Sequence, residues 1–405
     1  MRLALFPDEY LPGSTRVHAK MLHELALELL IRGHEPIIIT PGDASQSERL
    51  LVDQIDGVEV WRFKSGQTRG VSKLRRALNE SLFPFKAWAA IKGRVRAQPF
   101  DGVINYSPTI FFGGVVKKIK RASLCRSYLI QRDMFPQWII DEGMIKEGSL
   151  IARYFRYFER INYNSSDHIG VMSDGNLKLF RGWFPNYKNV SVLRNWADTR
   201  SVPVIDENLS IRDELNLGDK TIFFYGGNIG HAQDMTNLLR LVRSMLPYTN
   251  CHFLFVGQGD EFELVDALSK EWNLSNLSLL PSVSQEKFKQ LLKQVDVGLF
   301  SLSKLHSAHN FPGKLLGYMV ESLPILGSVN LGNDLIEVIN EAESGFAFVN
   351  GDDKSLFDAA RSLECNQTAR LTLGQNSNKL LHKYFSVNAA ANHILDALTV
   401  NMGAK

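Results

Sequence analysis

The stretch TIFFYGGNIGHAQDM, residues 221–235, shows how the second half of the chain folds. An apolar run rich in β-forming residues leads into a glycine-rich turn, and a segment with helical periodicity follows. This order predicts a buried strand, a loop at its carboxyl end and a helix that packs back on the sheet. The loop offers small or neutral polar groups to a ligand: Gly226, Gly227, Asn228, Gly230, His231 and Gln233.

Apolar runs of the same kind recur through the chain, and segments with helical periodicity separate them. The other runs in the second half are CHFLFVG (251–257), LSLLP (277–281), VDVGLF (295–300) and LPILG (323–327). Those in the first half are RLALF (2–6), PIIIT (36–40), DGVIN (101–105), CRSYLI (125–130), DHIGVMS (167–173) and VSVLRN (190–195). Such alternation is typical of β-α-β units around a parallel sheet. We predict an α/β protein with two Rossmann-like domains whose parallel sheets face a central cleft.

Length and charge indicate how these domains divide the chain. A chain of 405 residues is longer than one hydrophobic core usually serves. Residues 1–200 carry 30 Lys and Arg against 20 Asp and Glu, a net charge of +10, whereas residues 201–405 carry 16 against 23, a net charge of −7. The polar stretch 198–210 lies where the sign changes and is predicted to be the linker. We predict domains at 1–200 and 206–375, and a helical segment at 376–405 that crosses back to the first domain.

Composition argues against several other classes of protein. Hydrophobic residues make up 44% and charged residues 22% of the chain, the balance of a folded globular protein. The spacing of Cys125, Cys251 and Cys365 fits neither a disulfide framework nor a zinc motif, and no histidine spacing predicts a metal site. The amino terminus lacks the apolar core of a signal peptide, and no run is long enough to span a membrane. We therefore expect a cytoplasmic protein without a metal.

Two further loops occupy the position that the first loop has, after a strand and before a helix. LPGSTR (11–16) follows the first strand, with His18 one turn into the helix. Any strand-to-helix connection can have this composition, and the GxGxxG fingerprint of dinucleotide sites is absent. VGQGDE (256–261) follows the second strand of the second half, where small residues let a flat ring approach the backbone. Because ligands bind at the carboxyl ends of strands in such sheets, the loops together predict a nucleotide site.

The segment HNFPGKLLGYM (309–319) joins a strand to a helix and places Lys314 in the first helical turn. A cation at this end of a helix is unfavourable for the helix dipole. The placement is explained if an anion such as a diphosphate bridges the ammonium group and the backbone N–H groups. The alternative is a solvated surface lysine.

QRDMFPQW (131–138) follows the strand at 125–130, so its first polar residues are predicted to face the cleft. Two interpretations stay open. Arg132 and Asp133 form a structural ion pair, or Arg132 offsets negative charge while Asp133 orients a sugar hydroxyl.

A basic segment runs from Arg62 to Arg96, with Glu80 as its only acidic residue. Its cations are Arg62, Lys64, Arg69, Lys73, Arg75, Arg76, Lys86, Lys92, Arg94 and Arg96. Apolar residues recur among them at helical spacing, with a break at Pro84: Leu74, Leu78, Leu82, Phe85 and Ala89. Such a segment suits an anionic membrane surface. The alternative is a core helix pair with a solvated basic face, and no nucleic-acid-binding pattern accompanies the charge.

In this order, the segments resemble those of glycosyltransferase family 4 over nearly the whole chain. LPGSTRVHAKMLHELALELLIRGHEPIIIT is similar to the amino-terminal signature of that family. FFYGGNIGHAQDM, FLFVGQGDEFEL, VDVGLFSL and FPGKLLGYMVESLPILGS are similar to its nucleotide-sugar half. Within the family, GSTRVHAKM, RDMFPQW and NFPGKLLGYM look like bacterial O-antigen and capsule enzymes described as N-acetyl-L-fucosaminyltransferases. The resemblance implies a GT-B fold, a UDP-sugar donor and a metal-independent transfer with retention.

The chain departs from the family at four positions. Asn228 and Gln233 stand where many relatives have an Arg and a Lys for the diphosphate, and His309 and Gly317 stand where many have two glutamates. Other cations must therefore hold the diphosphate, and the candidates are Lys314, Arg132 and Arg16. Glu321 lies one turn beyond Gly317 and is assigned no role.

These observations predict a glycosyltransferase at the inner face of the cytoplasmic membrane. It would move an N-acetylated deoxyhexosamine, such as N-acetyl-L-fucosamine, from UDP to a polyprenyl-diphosphate-linked acceptor for O-antigen or capsule synthesis. Domain 1–200 would bind the acceptor and the membrane surface, and domain 206–375 would bind the donor. The predicted catalytic residues are Lys314, Arg132, Asp133 and His18. The predicted donor-binding residues are Gly13, Arg16, Gly227, Asn228, Gln233, Gly257, Gln258, Gly259, Ser282, Val283, His309, Asn310, Pro312, Gly313, Leu315 and Leu316.

Two other functions fit the same layers of structure. The altered residues at 228, 233 and 317 suit a non-catalytic protein that binds a nucleotide sugar or a lipid-linked glycan. A nucleotide-sugar epimerase is disfavoured because a YxxxK pair with a GxxGxxG fingerprint is absent.

Overall fold

A computed structural model of the chain describes residues 1–14, 17–68, 70–107, 109–141, 143–199, 210–304 and 311–399. The chain divides into two compact units. Unit 1 consists of Met1–Arg194 and the segment that starts at Val387, and unit 2 consists of Asn195–Ser386. Each unit is built on its own largely parallel sheet, which confirms the predicted α/β class. The predicted linker 198–210 falls mostly on residues 200–209, which lie outside the described residues.

Unit 1 contains an eight-stranded sheet in the order β3-β4-β2-β1-β5-β6-β7-β8. Its strands are β1 (Arg2–Phe6), β2 (Glu35–Pro41), β3 (Leu50–Ile55), β4 (Val58–Phe63), β5 (Gly102–Tyr106), β6 (Arg126–Gln131), β7 (His168–Val171) and β8 (Val190–Val192). Its helices up to residue 194 are α1 (Val17–Ile31), α2 (Lys73–Ser81), α3 (Phe83–Ala97), α4 (Gly113–Ser123), α5 (Gln137–Asp141), α6 (Leu150–Ser165) and α7 (Asp174–Trp183). β1, β5 and β6 are parallel neighbours, so their carboxyl ends meet at one edge.

Unit 2 contains a six-stranded parallel sheet in the order β11-β10-β9-β12-β13-β14. Its strands are β9 (Thr221–Asn228), β10 (Cys251–Gln258), β11 (Leu277–Pro281), β12 (Val297–Ser301), β13 (Ile325–Val329) and β14 (Gly345–Val349). Its helices are α8 (Ile211–Glu214), α9 (Met235–Ser244), α10 (Phe262–Glu271), α11 (Gln285–Leu292), α12 (Lys314–Val320), α13 (Leu335–Glu341), α14 (Asp353–Cys365) and α15 (Gln367–Leu380). A 3₁₀ turn at His231–Gln233 and a π-helical turn at Leu381–Phe385 complete it.

The sequence analysis missed the hairpin of β3 and β4, the antiparallel pair in the sheet of unit 1. Asp56 and Gly57 form its turn, with φ angles of 49° and 84°. Positive φ at both central residues is characteristic of the tight hairpin turns that favour an Asp-Gly pair. The signal was therefore present in the sequence as DG followed by the alternating run VEVWRF.

The predicted apolar stripe of the basic segment does not face the core. Leu78, Leu82 and Phe85 are exposed, and α3 packs on the sheet through other residues: Phe83, Ala87, Ile91 and Val95. The predicted break falls between α2 and α3, where Pro84 occupies the first turn of α3. A proline is tolerated there because the first N–H groups of a helix have no partner within the helix. The stripe is thus an exposed apolar strip beside cations such as Arg75 and Lys92.

The helix α16 (Val387–Thr399) belongs to unit 1. The predicted crossing segment began at residue 376, but residues up to Ser386 belong to unit 2, so that boundary is corrected by about ten residues. Arg32 donates a hydrogen bond to Asn392 Oδ1 at 2.7 Å, which ties α16 to the end of α1. Ser191 Oγ lies 2.7 Å from the Nε2 atoms of both His168 and His393. The closing helix is therefore fastened to the sheet by buried as well as exposed contacts.

Within the described residues, no helix combines the length and the apolar character needed to cross a bilayer.

Replacing the fully buried Ile394 of α16 by alanine is expected to destabilise the chain by about 2–5 kcal/mol, because the lost methyl groups leave a cavity. Thermal unfolding of the full chain measures the effect. Asp396→Ala, on the exposed side of the same helix, should change stability by less than about 0.5 kcal/mol. Equal effects of the two substitutions would contradict the packing of α16 on unit 1.

Candidate functional site

In unit 2, the ends of three neighbouring strands place the predicted nucleotide-binding loops side by side. Gly227 at the end of β9 pairs in register with Gly257 of β10, which in turn pairs with Pro281 of β11. Ser282 Oγ donates a hydrogen bond to Gln258 Oε1 at 2.9 Å. The structure therefore brings together the predicted residues at 227–228, 257–259 and 282–283.

Two glycines are required by this close approach. A Cβ atom on Gly257 would lie 1.9 Å from the carbonyl oxygen of Gly227, so no other residue fits. Gly227 has a φ angle of 113°, which side chains other than hydrogen rarely allow. The surface above these strand ends is consequently open backbone, which a flat ring or a phosphate can approach closely.

Lys314 lies at the start of α12, and its ammonium group turns inward. Nζ is buried, lies 3.4 Å from the centre of the Tyr225 ring and has no hydrogen-bond partner within the described residues. Its Cε atom is 3.9 Å from the Cβ position of Gly227, which places the side chain beside the strand ends. Burial lowers the pKa of Lys314 well below its usual value. A surface lysine, the alternative interpretation from sequence, would be hydrated, so this placement favours an anion-binding role.

The side chains of Asn228 and Gln233 form a hydrogen bond with each other. The Asn228 side-chain amide donates to Gln233 Oε1 at 2.7 Å. The Tyr225 hydroxyl donates a hydrogen bond to the Asn228 carbonyl, and the Asn350 side-chain amide donates one to the Asp234 carboxylate at 2.9 Å. The pair thus shapes the loop after β9 and supplies no positive charge to a diphosphate.

The start of α12 contributes less than the sequence suggested. The side chains of Leu315 and Leu316 are buried in the core of unit 2, and their N–H groups donate to the carbonyls of Pro312 and Gly313. These two leucines therefore lie beside the site rather than in it. A Cβ atom on Gly317 would lie 3.1 Å from Leu292 Cδ1, so a side chain at the position of the missing glutamate would require a small shift of Leu292.

Other positions on this segment stay predictions. His309 and Asn310 lie outside the described residues. Burial raises the pKa of Glu321, and its opposing electrostatic neighbours are Lys293 and Lys289. Glu321 is therefore oriented towards the region of α11, in keeping with the absence of an assigned role.

In unit 1, a second polar cluster forms after β1 and β5. His18 Nε2 lies 3.1 Å from Asp8 Oδ1 and 3.9 Å from Glu9 Oε1. The His18 ring stacks on Tyr106 at a centroid distance of 5.3 Å. Within the described residues, His18, Asp8 and Glu9 are the one group whose potential metal-ligand atoms lie together, within 4.8 Å of one another. The sequence analysis missed Asp8 and Glu9, although both directly follow the first strand.

Arg132 and Asp133 have different surroundings within this part of unit 1. The buried Arg132 guanidinium donates to the backbone carbonyls of Leu193 and Arg194, so it helps to hold the end of the unit in place. Burial raises the pKa of Asp133, whereas the charges of Arg132 and His18 lower it. Arg132 and Asp133 thus interact electrostatically, and the role of Arg132 in offsetting the negative charge of a ligand stays a prediction.

Several buried polar side chains near these strand ends lack a hydrogen-bond partner within the described residues. They include Ser107 Oγ, Thr109 Oγ1 and Gln131 Oε1. Buried polar atoms are normally paired, since an unpaired one costs about 1–3 kcal/mol. Their concentration beside His18 and Asp133 marks the carboxyl edge of β1, β5 and β6 as a place where a polar ligand can complete the hydrogen bonds. Gly13 is exposed nearby in sequence, and Arg16 lies outside the described residues.

Two glycosyltransferase families match the chain in succession. The Glycosyl transferase 4-like domain matches residues 18–196, and Glycosyl transferases group 1 matches residues 207–380. The putative colanic acid biosynthesis glycosyl transferase WcaI of Escherichia coli K12 is 24% identical over 400 residues, which cover 93% of this chain and 97% of WcaI.

Solved structures give the same fold. WaaG, a glycosyltransferase involved in lipopolysaccharide biosynthesis, superposes with a TM-score of 0.63 at 14% identity and covers 98% of this chain and 99% of its own. HepE of Anabaena in complex with UDP gives a TM-score of 0.66 at 13% identity, with coverage of 99% and 100%. The chain is a glycosyltransferase with the two-domain GT-B fold.

Replacing Lys314 by methionine is expected to stabilise the ligand-free protein. The folded-state pKa of Lys314 lies below its unfolded value, so between these two values the unfolded chain binds more protons and stability rises with pH. At neutral pH the variant removes this cost, and its melting temperature should rise by about 2–4 °C for each kcal/mol recovered. The rise should be larger at about pH 6 than at about pH 9, because the free-energy cost of the buried ammonium group falls as the pH rises towards the ordinary pKa of lysine.

The matched control is Lys354→Met, because that lysine is exposed on α14 of the same unit. It should leave the melting temperature nearly unchanged. A loss of stability in the Lys314→Met variant would show that the ammonium group is well solvated in the folded state.

Proposed function

We propose that the chain transfers a sugar from a UDP-sugar to a lipid-linked acceptor during synthesis of a bacterial surface polysaccharide. The observation that carries the donor half of the proposal is the buried ammonium of Lys314 beside the open strand ends of β9 and β10. A diphosphate suits this arrangement, because a nearby anion stabilises the charged form of Lys314 that burial disfavours. HepE, a structural relative, is known in complex with UDP, which supports a UDP donor.

The uracil would lie over Gly257 and Gly259 near Ser282, and the diphosphate would lie over Gly227 beside Lys314. As the bond between sugar and diphosphate breaks, negative charge grows on the leaving oxygen. A cation already fixed at that place stabilises the transition state without reorganisation. Asn228 and Gln233 shape the loop, so Lys314 supplies the charge that an Arg and Lys pair supplies in many relatives.

The acceptor would be held by the polar cluster of unit 1. Asp133 and His18 offer a carboxylate and an imidazole to a sugar hydroxyl, and the unpaired oxygens Ser107 Oγ and Gln131 Oε1 offer further hydrogen bonds. The family resemblance suggests transfer with retention, in which the leaving phosphate accepts the proton of the incoming hydroxyl. It also suggests N-acetyl-L-fucosamine as the transferred sugar. The role of WcaI in colanic acid biosynthesis supports a polysaccharide product.

Attachment to the inner face of the membrane would bring the enzyme to such an acceptor. The exposed strip of Leu78, Leu82 and Phe85 lies among the cations of α2 and α3, and Lys118 of α4 stands over the Phe85 ring at 5.2 Å. Apolar side chains can enter the headgroup region while the surrounding cations meet lipid phosphates.

Transfer itself tests the proposal. Purified protein is incubated with radiolabelled UDP-sugars, including UDP-N-acetyl-L-fucosamine, and a lipid-diphosphate N-acetylglucosamine acceptor. Lys314→Ala should lower turnover by about 10²-fold or more, the scale for removal of one preorganised charge, while Lys354→Ala leaves it unchanged. Tight UDP binding without transfer to any acceptor would favour the non-catalytic alternative, and wild-type turnover in Lys314→Ala would place the diphosphate elsewhere.

The membrane contact has its own test. Replacing Arg75, Lys86 and Lys92 by glutamate should weaken sedimentation with anionic liposomes by about tenfold or more, because each cation near the surface contributes about 1 kcal/mol. Replacing three lysines of unit 2 by glutamate, Lys270, Lys354 and Lys379, is the matched control. Binding that survives about 1 M salt, where the Debye length is about 3 Å, would argue against an electrostatic contact.

A further inference from the structure

A band of apolar side chains is exposed in unit 1, away from the basic segment. We call it the α6 surface, and its members are Trp138, Met144, Leu150, Ile151 and Tyr157. Leu150 is 81% and Tyr157 57% exposed. Large apolar side chains exposed together along one segment indicate a binding partner.

The α6 surface is backed by a ladder of aromatic rings. Phe135 contacts Phe155 edge to face at 4.9 Å between centroids, and Tyr154 lies 5.4 Å from Phe155 and 5.1 Å from Phe158. Phe158 contacts the buried Phe111 at 4.9 Å and the exposed Tyr157 at 5.3 Å. Interlocked rings of this kind give α6 a rigid apolar side that needs no rearrangement to accept a ligand.

Along the sequence, both ends of the ladder lie close to residues of the polar cluster of unit 1. Phe135 follows Asp133 by two residues, and Phe111 follows Thr109 by two residues. Asn105 on β5 donates a hydrogen bond to Asn162 of α6 at 3.0 Å, so α6 passes the strand ends at Asn162. The twelve residues from Leu150 to Ile161 precede that point along α6, and at 1.5 Å per residue they span about 18 Å. A ligand can therefore have a polar end in the cluster and an apolar tail along α6.

The charge on this helix face suits the point where the polar end of such a ligand joins its apolar tail. Leu150, Arg153 and Tyr157 are three and four residues apart, so they lie on one face. Arg153 is exposed and takes part in no salt bridge among the described residues. A cation flanked by apolar side chains suits a lipid that carries an anionic group between its sugar and its hydrocarbon chain.

We propose that the α6 surface binds the first isoprene units of a polyprenyl chain, with Arg153 at the diphosphate that joins the chain to the acceptor sugar. The inference rests on the proposed function, because it assigns the lipid of the acceptor to a surface of the chain. It differs from attachment through the basic segment. Residues 138–161 carry four acids and four cations, so this segment has no net positive charge to attract an anionic bilayer, whereas a single prenyl chain needs none.

Binding of undecaprenyl diphosphate in nonionic detergent micelles tests the proposal on the full chain. Ile151→Glu and Tyr157→Glu should each weaken binding about tenfold or more, since a charge then faces the hydrocarbon chain. Arg153→Ala should weaken binding of undecaprenyl diphosphate but not of undecaprenol. Leu371→Glu, at a leucine 61% exposed on α15 of unit 2, is the matched control and should have no effect.

A second measurement uses the wild-type protein. Farnesyl diphosphate that carries a diazirine should label residues 138–157 on irradiation, and unlabelled undecaprenyl diphosphate should suppress the labelling. Unchanged lipid binding in both glutamate variants, or labelling elsewhere, overturns the proposal. So does a parallel loss of binding to neutral liposomes, which would make the α6 surface a bilayer contact, or a change of oligomeric state, which would make it an interface between copies. UDP binding by the same variants should be normal, and its absence in the wild type would count against the donor site instead.

Discussion

The side-by-side ending of parallel strands is the constraint on which the candidate sites depend. In unit 2 the ends of β9, β10 and β11 are held in register by the ladder hydrogen bonds, and Gly227 and Gly257 let the first two approach closely. In unit 1 the ends of β1 and β5 bring His18 and Asp8 together although ten residues separate them. Because ligands bind at the carboxyl ends of strands in such sheets, each edge is a candidate site for a polar ligand.

Both edges contain polar or charged side chains whose burial lowers the stability of the fold. Lys314 Nζ is buried over the Tyr225 ring, and Ser107 Oγ and Gln131 Oε1 lack hydrogen-bond partners among the described residues. Such groups are suited to a ligand-binding site. The same low-polarity surroundings that penalise an unpaired polar group strengthen its contact with a ligand. Asn228 and Gln233 carry no charge, so under the proposed function the diphosphate depends on the buried ammonium group of Lys314.

Unit 1 separates its charges from its apolar side chains more than its composition suggests. The basic segment faces solvent together with Leu78, Leu82 and Phe85, whereas the α6 surface is backed by aromatic rings in edge-to-face contact. The two surfaces therefore differ in chemistry, as the two proposed partners do. The polar cluster lies where the second of these surfaces begins, next to Asp133.

The sequence by itself determined the α/β class, the order of most strands and the glycine-rich loops after β9 and β10. These features follow from local periodicity and from residues such as Gly257 whose conformational range is set by their own chemistry. The Asp56-Gly57 hairpin was also readable, although it was missed. Tertiary structure alone decided that Arg132 binds backbone carbonyls, that Leu315 and Leu316 turn into the core, and that the apolar strip of α2 and α3 faces outward. Side-chain direction at a loop or helix end depends on which distant segments pack against it, and no spacing along the chain encodes that contact.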